Sequence, residues 1–429
     1  MHNNEAQAIK SDQRTAMITD LFQQALAISD PWMIQSIEFK ADSKRLDIHI
    51  DFKRGATFID DGESEDSKKP YKAYDTVQKT WCHLNFFQHE CYLHARVPRI
   101  KRDDGRIRLI PPPWSGVVSG FSLLFEALLV QLCKAMPVHN VSQLTGVSDH
   151  KIWRVLEVYI NSAKFEEDLS MVKTVGMDET SVAKGHDYIS LFVDLDERRT
   201  LHISDGKDAQ TVVDFVEVLE EKNGNRKQIK QVSCDMSPAF IKGVRENFPE
   251  AEVTFDKFHI VKIINEAVDK VRRQEAKNNP LLKGNRYIFL KNEDNLTEKQ
   301  KATKEELSLA KLNLKSTRAM RIREAFQQIY QADSIETFKA LLTKWYYWAT
   351  HSQLPSIIKA AKTIKNHWEG VVNWKESQIN NGILEGLNSV LQAAKRKARG
   401  YKKPHFKIIA YLLTGKLDFT KVNPNCLPT

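Results

Sequence analysis

Two aspartates and one glutamate in this 429-residue chain stand where carboxylates could act together. Asp178 closes the mostly apolar run from Val172 to Met177, and Asp235 closes the run from Ile229 to Cys234. Such runs read as buried strands. In open α/β sheets, sites gather at strand ends, where a carboxylate reaches solvent while the strand stays in the core. Either aspartate alone is an ordinary strand-ending turn residue; two in one sheet make a stronger pattern. Glu385 supplies the third carboxylate. Between Ile383 and Ala398, the residues Ile383, Leu387, Val390, Leu391, Ala394 and Ala398 follow helical spacing, while Glu385, Asn388, Gln392, Arg396 and Arg399 fall on another stripe. A glutamate heading an arginine-lined helix face suits a metal ion held beside a phosphate backbone.

The elements that must position these groups follow from Met171 onward. Val172 to Met177, Tyr188 to Val193 and Thr200 to Ile203 read as three strands, followed by a helix carrying Val212, Val213, Phe215, Val216 and Leu219. The strand ending at Asp235 comes next, then a helix opened by Ser237-Pro238, with Ser as cap and Pro in the first turn. Glu252 to Phe255 is a last short strand, leading through Asp256 into a long helix to Arg273. Three strands, a helix, a strand, a helix and a strand predict a mixed α/β sheet, in the order of the ribonuclease H-like fold. From about Pro280 to Trp374 only helices are predicted. Thr297-Glu298-Lys299-Gln300 is a capping-box signature, and Phe338, Leu341, Leu342, Trp345 and Trp348 form an apolar stripe.

Upstream, a short helix is expected around Thr15 to Ser29. Leu46 to Phe52, Trp81 to Phe87 and Tyr92 to Val97 alternate as strands do, punctuated by Asp-Asp-Gly triplets at 60–62 and 103–105. Pro111-Pro112-Pro113 closes this region. Phe121, Leu124, Phe125, Leu128 and Leu132 then share one helical stripe. Val138 to Leu144, a turn at Thr145-Gly146-Val147, and a helix capped by Ser148 with Ile152, Val155, Leu156 and Tyr159 inside make a helix-turn-helix candidate. Its outward residues would be Asp149, His150, Lys151 and Arg154, placed to reach a DNA groove.

Composition narrows the class. Hydrophobic residues make up 41% and charged residues 28%, which argues against a largely disordered chain. Phe121 to Cys133, the richest apolar stretch, already contains Glu126 and Gln131, so no membrane span is expected. Met1 to Lys10 lacks the apolar core of a signal peptide, and five scattered cysteines give no disulfide framework. A soluble, cytoplasmic protein is expected. The net charge is +9 (64 basic minus 55 acidic residues), unevenly spread: Asp60 to Asp66 is acidic, whereas Lys395 to Lys407 carries seven Lys or Arg and no acid. That distribution suggests a polyanion partner.

Four motifs carry a family resemblance. GMDETSVAKGHDYISLFVDLDERR (from Gly176), CDMSPAFIKGV (from Cys234), FDKFHIVK (from Phe255) and NNGILEGLNSVLQAAKRKARGY (from Asn380) resemble the catalytic core of ISL-three family insertion-sequence transposases. HLNFFQHECYLHARVPRI (from His83) and the helix-turn-helix are similar to that family's N-terminal region, so the likeness spans roughly residues 45 to 415. By that resemblance Asp178, Asp235 and Glu385 match the DDE triad. They would be catalytic residues and ligands of two Mg²⁺ (or Mn²⁺) ions roughly 3.5–4 Å apart. Asp256 and His259 match the DKFH motif as candidate supports. His150, Lys151 and Arg154, with Lys395, Arg396, Lys397 and Arg399, are the candidate DNA contacts.

The family's N-terminal zinc ribbon departs here. Its two Cys-x-x-Cys-Gly knuckles correspond to Ile59-Asp60-Asp61-Gly62 and Arg102-Asp103-Asp104-Gly105, where the glycines remain without thiolates. Cys82, His83, His89, Cys91 and His94 cluster on strand-like stretches rather than knuckles, and no zinc is expected. The expected organisation is a β-rich, degenerate zinc-ribbon-like domain (1–115), a helix-turn-helix (116–168), a first part of the core (169–279), a helical insertion (280–377) and a last part with a basic helix (378–429). The resemblance implies an enzyme that binds double-stranded DNA at the element's terminal inverted repeats, cuts it and transfers the strands to target DNA. It would act as a homodimer or higher oligomer on DNA, nucleoid-associated when bound and with no membrane partner. The rivals are a transposase-derived DNA-binding protein that has lost catalysis and a ribonuclease H-like nuclease of repair.

Overall fold

The computed structural model describes residues 16–62, 68–183, 187–309, 312–379 and 382–427. Residues 1–15, the acidic run past Gly62, Lys184 to His186 and the Asn380-Asn381 pair lie outside the described residues. The chain forms two compact units. One runs to Glu166 and takes back the chain from Leu417 onward; the other is Glu167–Lys416.

The first unit begins with helix α1 (16–25) and continues as strands. β1 (Trp32–Lys40), β2 (Arg45–Phe52), β5 (Asp75–Phe86) and β6 (His89–Lys101) form a sheet in the order β1-β2-β6-β5, with β7 (Ile107–Leu109) also on β6. β3 (Thr57–Phe58) and β4 (Tyr71–Lys72) make a separate small hairpin. β6 buries Cys91, Leu93, Ala95 and Val97, every second residue, against Trp32, Ile34, Ile48 and Trp81. The region is β-rich as expected, but as one five-stranded sheet whose β2 and β6 run parallel. The second Asp-Asp-Gly triplet is the turn between β6 and β7, with Gly105 at φ +80°.

Three helices follow: α2 (Leu123–Ala135), α3 (Val138–Thr145) and α4 (Asp149–Phe165). Gly146, at φ +71°, makes the turn between α3 and α4, and Ser148 stands at the N-cap without a side-chain capping bond. The apolar stripe expected on α2 is corrected. Leu124 and Leu128 are exposed, while Phe125, Glu126, Leu129, Val130 and Cys133 are buried. The reason is Glu126, whose carboxylate accepts from Val117 N (2.9 Å), Val118 N (2.7 Å) and Tyr159 Oη (2.8 Å). A carboxylate so bonded can lie inside, and it turns the helix toward itself. The C-terminal tail completes this network: Asn423 donates to Tyr159 Oη and to Leu123 O, both at 2.7 Å. The last residues were expected with the catalytic region; from Leu417 they pack instead with α2 and α4. The β domain and helix-turn-helix, expected separately, share this unit.

The second unit is built on a mixed sheet. β8 (Thr174–Ala183), β9 (Asp187–Asp194) and β10 (Arg199–Asp205) form an antiparallel meander; β11 (Gln231–Cys234) and β12 (Glu252–Phe255) add in parallel, giving the order β10-β9-β8-β11-β12. α5 (Gln210–Glu221), α6 (Pro238–Asn247) and α7 (Lys257–Glu275) alternate with these strands. The insertion is helical throughout its described residues: α8 (Arg286–Leu290), α9 (Glu298–Leu307), α10 (Lys315–Ile329), α11 (Ile335–Thr350), α12 (Pro355–Asn366) and α13 (Trp368–Ser377). Thr297 and Gln300 form the expected capping box on α9. On α11, Phe338, Leu342, Trp345 and Ala349 are buried; Leu341 and Trp348, expected on that stripe, are exposed.

Both faces of the sheet are covered. Met177, Phe192 and Leu201 face α5, α6, α7 and the insertion, whereas Val182, Ile189, Leu191, Val193 and Ile203 face α14 (Gly382–Lys397) and α15 (Lys403–Thr414). On α14 the buried apolar residues are Leu384 and Leu391, while Val390 is exposed, so the expected stripe is rotated. The rotation has a polar cause: Asn388, Gln392 and Lys395 face the sheet and bond to β8. Gly176 admits this approach, since a Cβ there would stand 2.7 Å from Leu195 and 3.0 Å from Leu384.

Candidate active site

β8 and β11 run parallel with Gln231 opposite Thr174, Val232 opposite Val175 and Ser233 opposite Gly176, and there the ladder stops. Asp178 follows the last rung by two residues on β8 (176 + 2), and Asp235 follows it by two residues (233 + 2), just past the end of β11; the Asp235 charge acts on Asp178. Asp178 therefore does not end its strand, as the sequence suggested. β8 runs on to Ala183 paired with β9, and Asp178 sits beyond the end of its other ladder. The strand extends because β9 supplies a second partner for its backbone.

Asp178 is held firmly. Its Oδ1 accepts from Glu179 N at 2.8 Å, and its Oδ2 accepts from the Asn388 amide. Asn388 is fixed in turn by Thr180 Oγ1, which donates to its Oδ1 at 2.7 Å. Burial pushes the Asp178 carboxyl up to about 6; Glu179 N and His259 oppose the rise, and the charges of Asp235 and Asp256 add to it. Asp235 accepts from Ser237 N at 2.8 Å at the start of α6. Asp256 caps α7 by accepting from Phe258 N at 2.9 Å, and His259 Nε2 lies 3.7 Å from its Oδ2. Asp178, Asp235, Asp256 and His259 thus lie within electrostatic reach of one another.

Glu385 stands in the first turn of α14, exposed, three residues before Asn388. Among the described residues no group of three or more His, Cys, Asp or Glu is placed to hold a metal ion, so Glu385 is not gathered with the two aspartates. The pair itself fits a hard divalent cation. Mg²⁺ binds through one or two carboxylates and keeps several waters, and a carboxyl driven toward neutrality by burial, with nearby carboxylates adding to it, is one that a cation would re-ionise. Asn388 and Glu179 were missed as orienting groups. The signal for Asn388 was its place three residues after Glu385 on a polar stripe.

The expected DNA contacts divide. His150, Lys151 and Arg154 are exposed on α4, with the Lys151 ammonium 6.0 Å from the Phe121 ring. Arg396, Lys397 and Arg399 are exposed at the end of α14, but Lys395 is half-buried and donates to Ser181 O at 2.8 Å, anchoring the helix. In the N-terminal unit the Cys/His cluster is spread over the sheet. His83 bonds Ser122 Oγ at 2.7 Å, and burial lowers it to about 4. His94 lies between Asp47 (2.7 Å) and Thr80 (2.9 Å). Burial raises the Cys82 thiol to about 11 and Cys91 to about 12. Where knuckle thiolates would stand, Asp60 accepts from Arg102 Nε at 2.7 Å and from Gly62 N at 2.9 Å, clipping the two turns together.

A mixed sheet carrying two aspartates and, elsewhere in the chain, a helix-turn-helix are the parts expected of a DNA transposase, and comparison with known proteins shows the family. The family described as "Transposase" matches residues 175–410, and the one described as "Helix-turn-helix domain of transposase family ISL3" matches residues 112–159. The chain belongs to the ISL3 family of insertion-sequence transposases. It is similar to the transposase for insertion sequence element IS1001 of Bordetella parapertussis, 26% identical over 344 residues, covering 78% of this chain and 84% of that protein. It is also similar to the transposase for element IS1557 of Mycobacterium tuberculosis, 25% identical over 370 residues, covering 78% and 81%. No helix among the described residues is long and apolar enough to cross a membrane.

Proposed function

We propose that the protein is a DDE-type DNA transposase with a ribonuclease H-like core, which binds the terminal inverted repeats of its element, cuts their 3′ ends and joins them to target DNA. The observation that supports this reading is that Asp178 and Asp235 each follow the last β8–β11 rung by two residues, with the Asp235 charge adding to the burial that drives Asp178 up to about 6. The strand order, an antiparallel meander followed by two parallel strands, supports the ribonuclease H-like reading. Asp178, Asp235 and Glu385 would hold Mg²⁺ or Mn²⁺, two ions per site. Bound there, the metal supplies charge stabilisation for the attacking and leaving oxygens of phosphoryl transfer.

The chain's own side chains prepare that site. Asn388 and Glu179 N fix both oxygens of Asp178, so its orientation is set before DNA arrives. Glu385 stands on the turn before Asn388, whose amide bonds Asp178, and helix side chains so spaced lie about 5–6 Å apart, so Glu385 would complete the site once metal and DNA bind. Asp256 and His259 support the aspartates from α7. His150, Lys151 and Arg154 read the end sequence, and Arg396, Lys397 and Arg399 neutralise phosphates. Holding two ends together requires a homodimer or higher oligomer on DNA, in the cytoplasm at the nucleoid.

Glu385→Gln tests the assignment in a cleavage assay run beside a binding titration on the same end fragment. Binding should survive, and cleavage and joining in Mg²⁺ or Mn²⁺ should collapse, as they should for Asp178→Asn and Asp235→Asn. Near-normal cleavage by Glu385→Gln would remove it from the triad. Loss of binding and folding together would give it a structural role instead.

A further inference from the structure

The exposed face of α7 leads away from the aspartates as a basic groove that the proposed chemistry leaves unused. His259, Lys262, Glu266, Lys270 and Arg273 stand three or four residues apart and so share one stripe of this helix. The stripe begins at His259, whose charge acts on Asp178, and ends 14 residues later (273 − 259), about 21 Å along the axis at about 1.5 Å per residue. Arg286 of α8 joins Lys262, Lys270 and Arg273 around a groove of about 560 Å³.

The acids of the groove do not balance these cations. Asp269 is buried and taken up by Arg272 at 2.9 Å and Arg273 at 3.1 Å, with Arg286 at 3.7 Å. That leaves Glu266 against Lys262 and Lys270, which no ion pair engages among the described residues. In the same groove the Asn265 Oδ1 is turned inward without a protein hydrogen-bond partner among the described residues. An ordinary solvated helix face interleaves its charges and pairs them. This one is concave and holds Lys262 and Lys270 outside any ion pair among the described residues.

We propose that the α7–α8 groove binds the sugar-phosphate backbone of the DNA duplex running away from the bond held at Asp178 and Asp235. It would be a contact track separate from α4 and from the basic end of α14. The proposal rests on the reading of the aspartate pair as a DNA-cleaving site. Lysine and arginine donors match phosphate oxygens, and backbone contacts of this kind are independent of sequence and weaken with salt.

The test is Lys262→Gln/Lys270→Gln in the full chain, two exposed side chains whose loss leaves the Asp269 pairs intact. The probe is a duplex spanning an element end and its flank, titrated at several salt concentrations. The slope of log binding constant against log salt should fall by about 1.8, at about 0.9 per phosphate contact, while the footprint over the repeat is kept. Lys270→Cys bearing a photo-crosslinker should attach to the duplex at about 16 Å from the cleaved bond, 11 residues (270 − 259) along α7 from His259 at about 1.5 Å each. An unchanged slope and no crosslink, with normal cutting by the wild type, would overturn the groove and leave the parent reading standing. A wild type that binds the end but does not cut it in Mg²⁺ or Mn²⁺ would overturn the parent reading. A fall in slope would then still establish the groove.

Discussion

Asp178→Asn should stabilise the metal-free protein above neutral pH, although it removes a side chain of the proposed triad. The rise of the Asp178 carboxyl from 3.8 to about 6 corresponds to about 3 kcal/mol of unfavourable ionisation in the folded state, an upper bound for a half-buried group. Asparagine relieves this, but it has one oxygen where Glu179 N and the Asn388 amide both donate, so about 0.5–1.5 kcal/mol is lost with one hydrogen bond. The net gain is about 2 kcal/mol. For a unit of 250 residues (416 − 167 + 1) that is roughly 4–8 °C in melting temperature. The sign depends on pH. A folded-state value above the unfolded one means that the protonated carboxyl stabilises the fold below about 4, and that this stability is lost as pH rises through about 6. The variant should therefore match or fall slightly below the wild type at pH 4, overtake it between pH 4 and 6, and keep a constant lead above pH 7. Thermal or urea unfolding across pH 4 to 8 reads this directly. Added Mg²⁺ or Mn²⁺ should then stabilise the wild type and not the variant. A pH-independent difference, or a variant less stable at pH 8, would refute the burial-raised carboxyl at this site.

Two further perturbations address the N-terminal unit. Arg102→Met should cost about 1–3 kcal/mol, because both partners are largely buried and Asp60 would be left unpaired; Asp60→Asn in the same chain should restore part of it. In parallel, metal analysis of purified protein should find no tightly held zinc, and chelation should leave unfolding unchanged; one zinc per chain, lost together with the fold, would overturn this. Lys151→Ala/Arg154→Ala should weaken binding to an element end by roughly 1–3 kcal/mol for each side chain that reads a base edge. Equal weakening on unrelated duplex, measured by competition, would restrict both residues to phosphate contacts.

Much of the second unit is legible in the sequence because its strands are short apolar runs ended by turn residues. Tyr188 to Val193 falls within β9, Glu252 to Phe255 is β12, and the order of strands and helices follows as read. What the sequence hides is long-range. Asp178 looks terminal because the apolar run stops there, yet a strand is a matter of partners, and β9 keeps pairing where β11 has stopped. β1 goes unread because it alternates only weakly, with two buried residues in nine.

Polar residues account for the remaining differences, and by a single physical rule. A hydrophobic stripe fixes the face of a helix only when no polar side chain on that helix has a better place inside. On α2, Glu126 finds two backbone amides and a tyrosine hydroxyl, and Leu124 and Leu128 are turned outward. On α14, Asn388 finds Asp178 and Thr180, and Lys395 finds Ser181 O, so the buried face keeps Leu391 but shifts to take in Leu384 and turn Val390 outward. Those partners lie up to 214 positions away in sequence (395 − 181), so no local pattern announces them. The same rotation brings Asn388 onto Asp178, while Glu385, three residues earlier, stays exposed. The residues that defeat the periodicity argument are the ones that hold Asp178 in place, and a helix turned by its apolar stripe alone would leave that carboxylate without its amide partner.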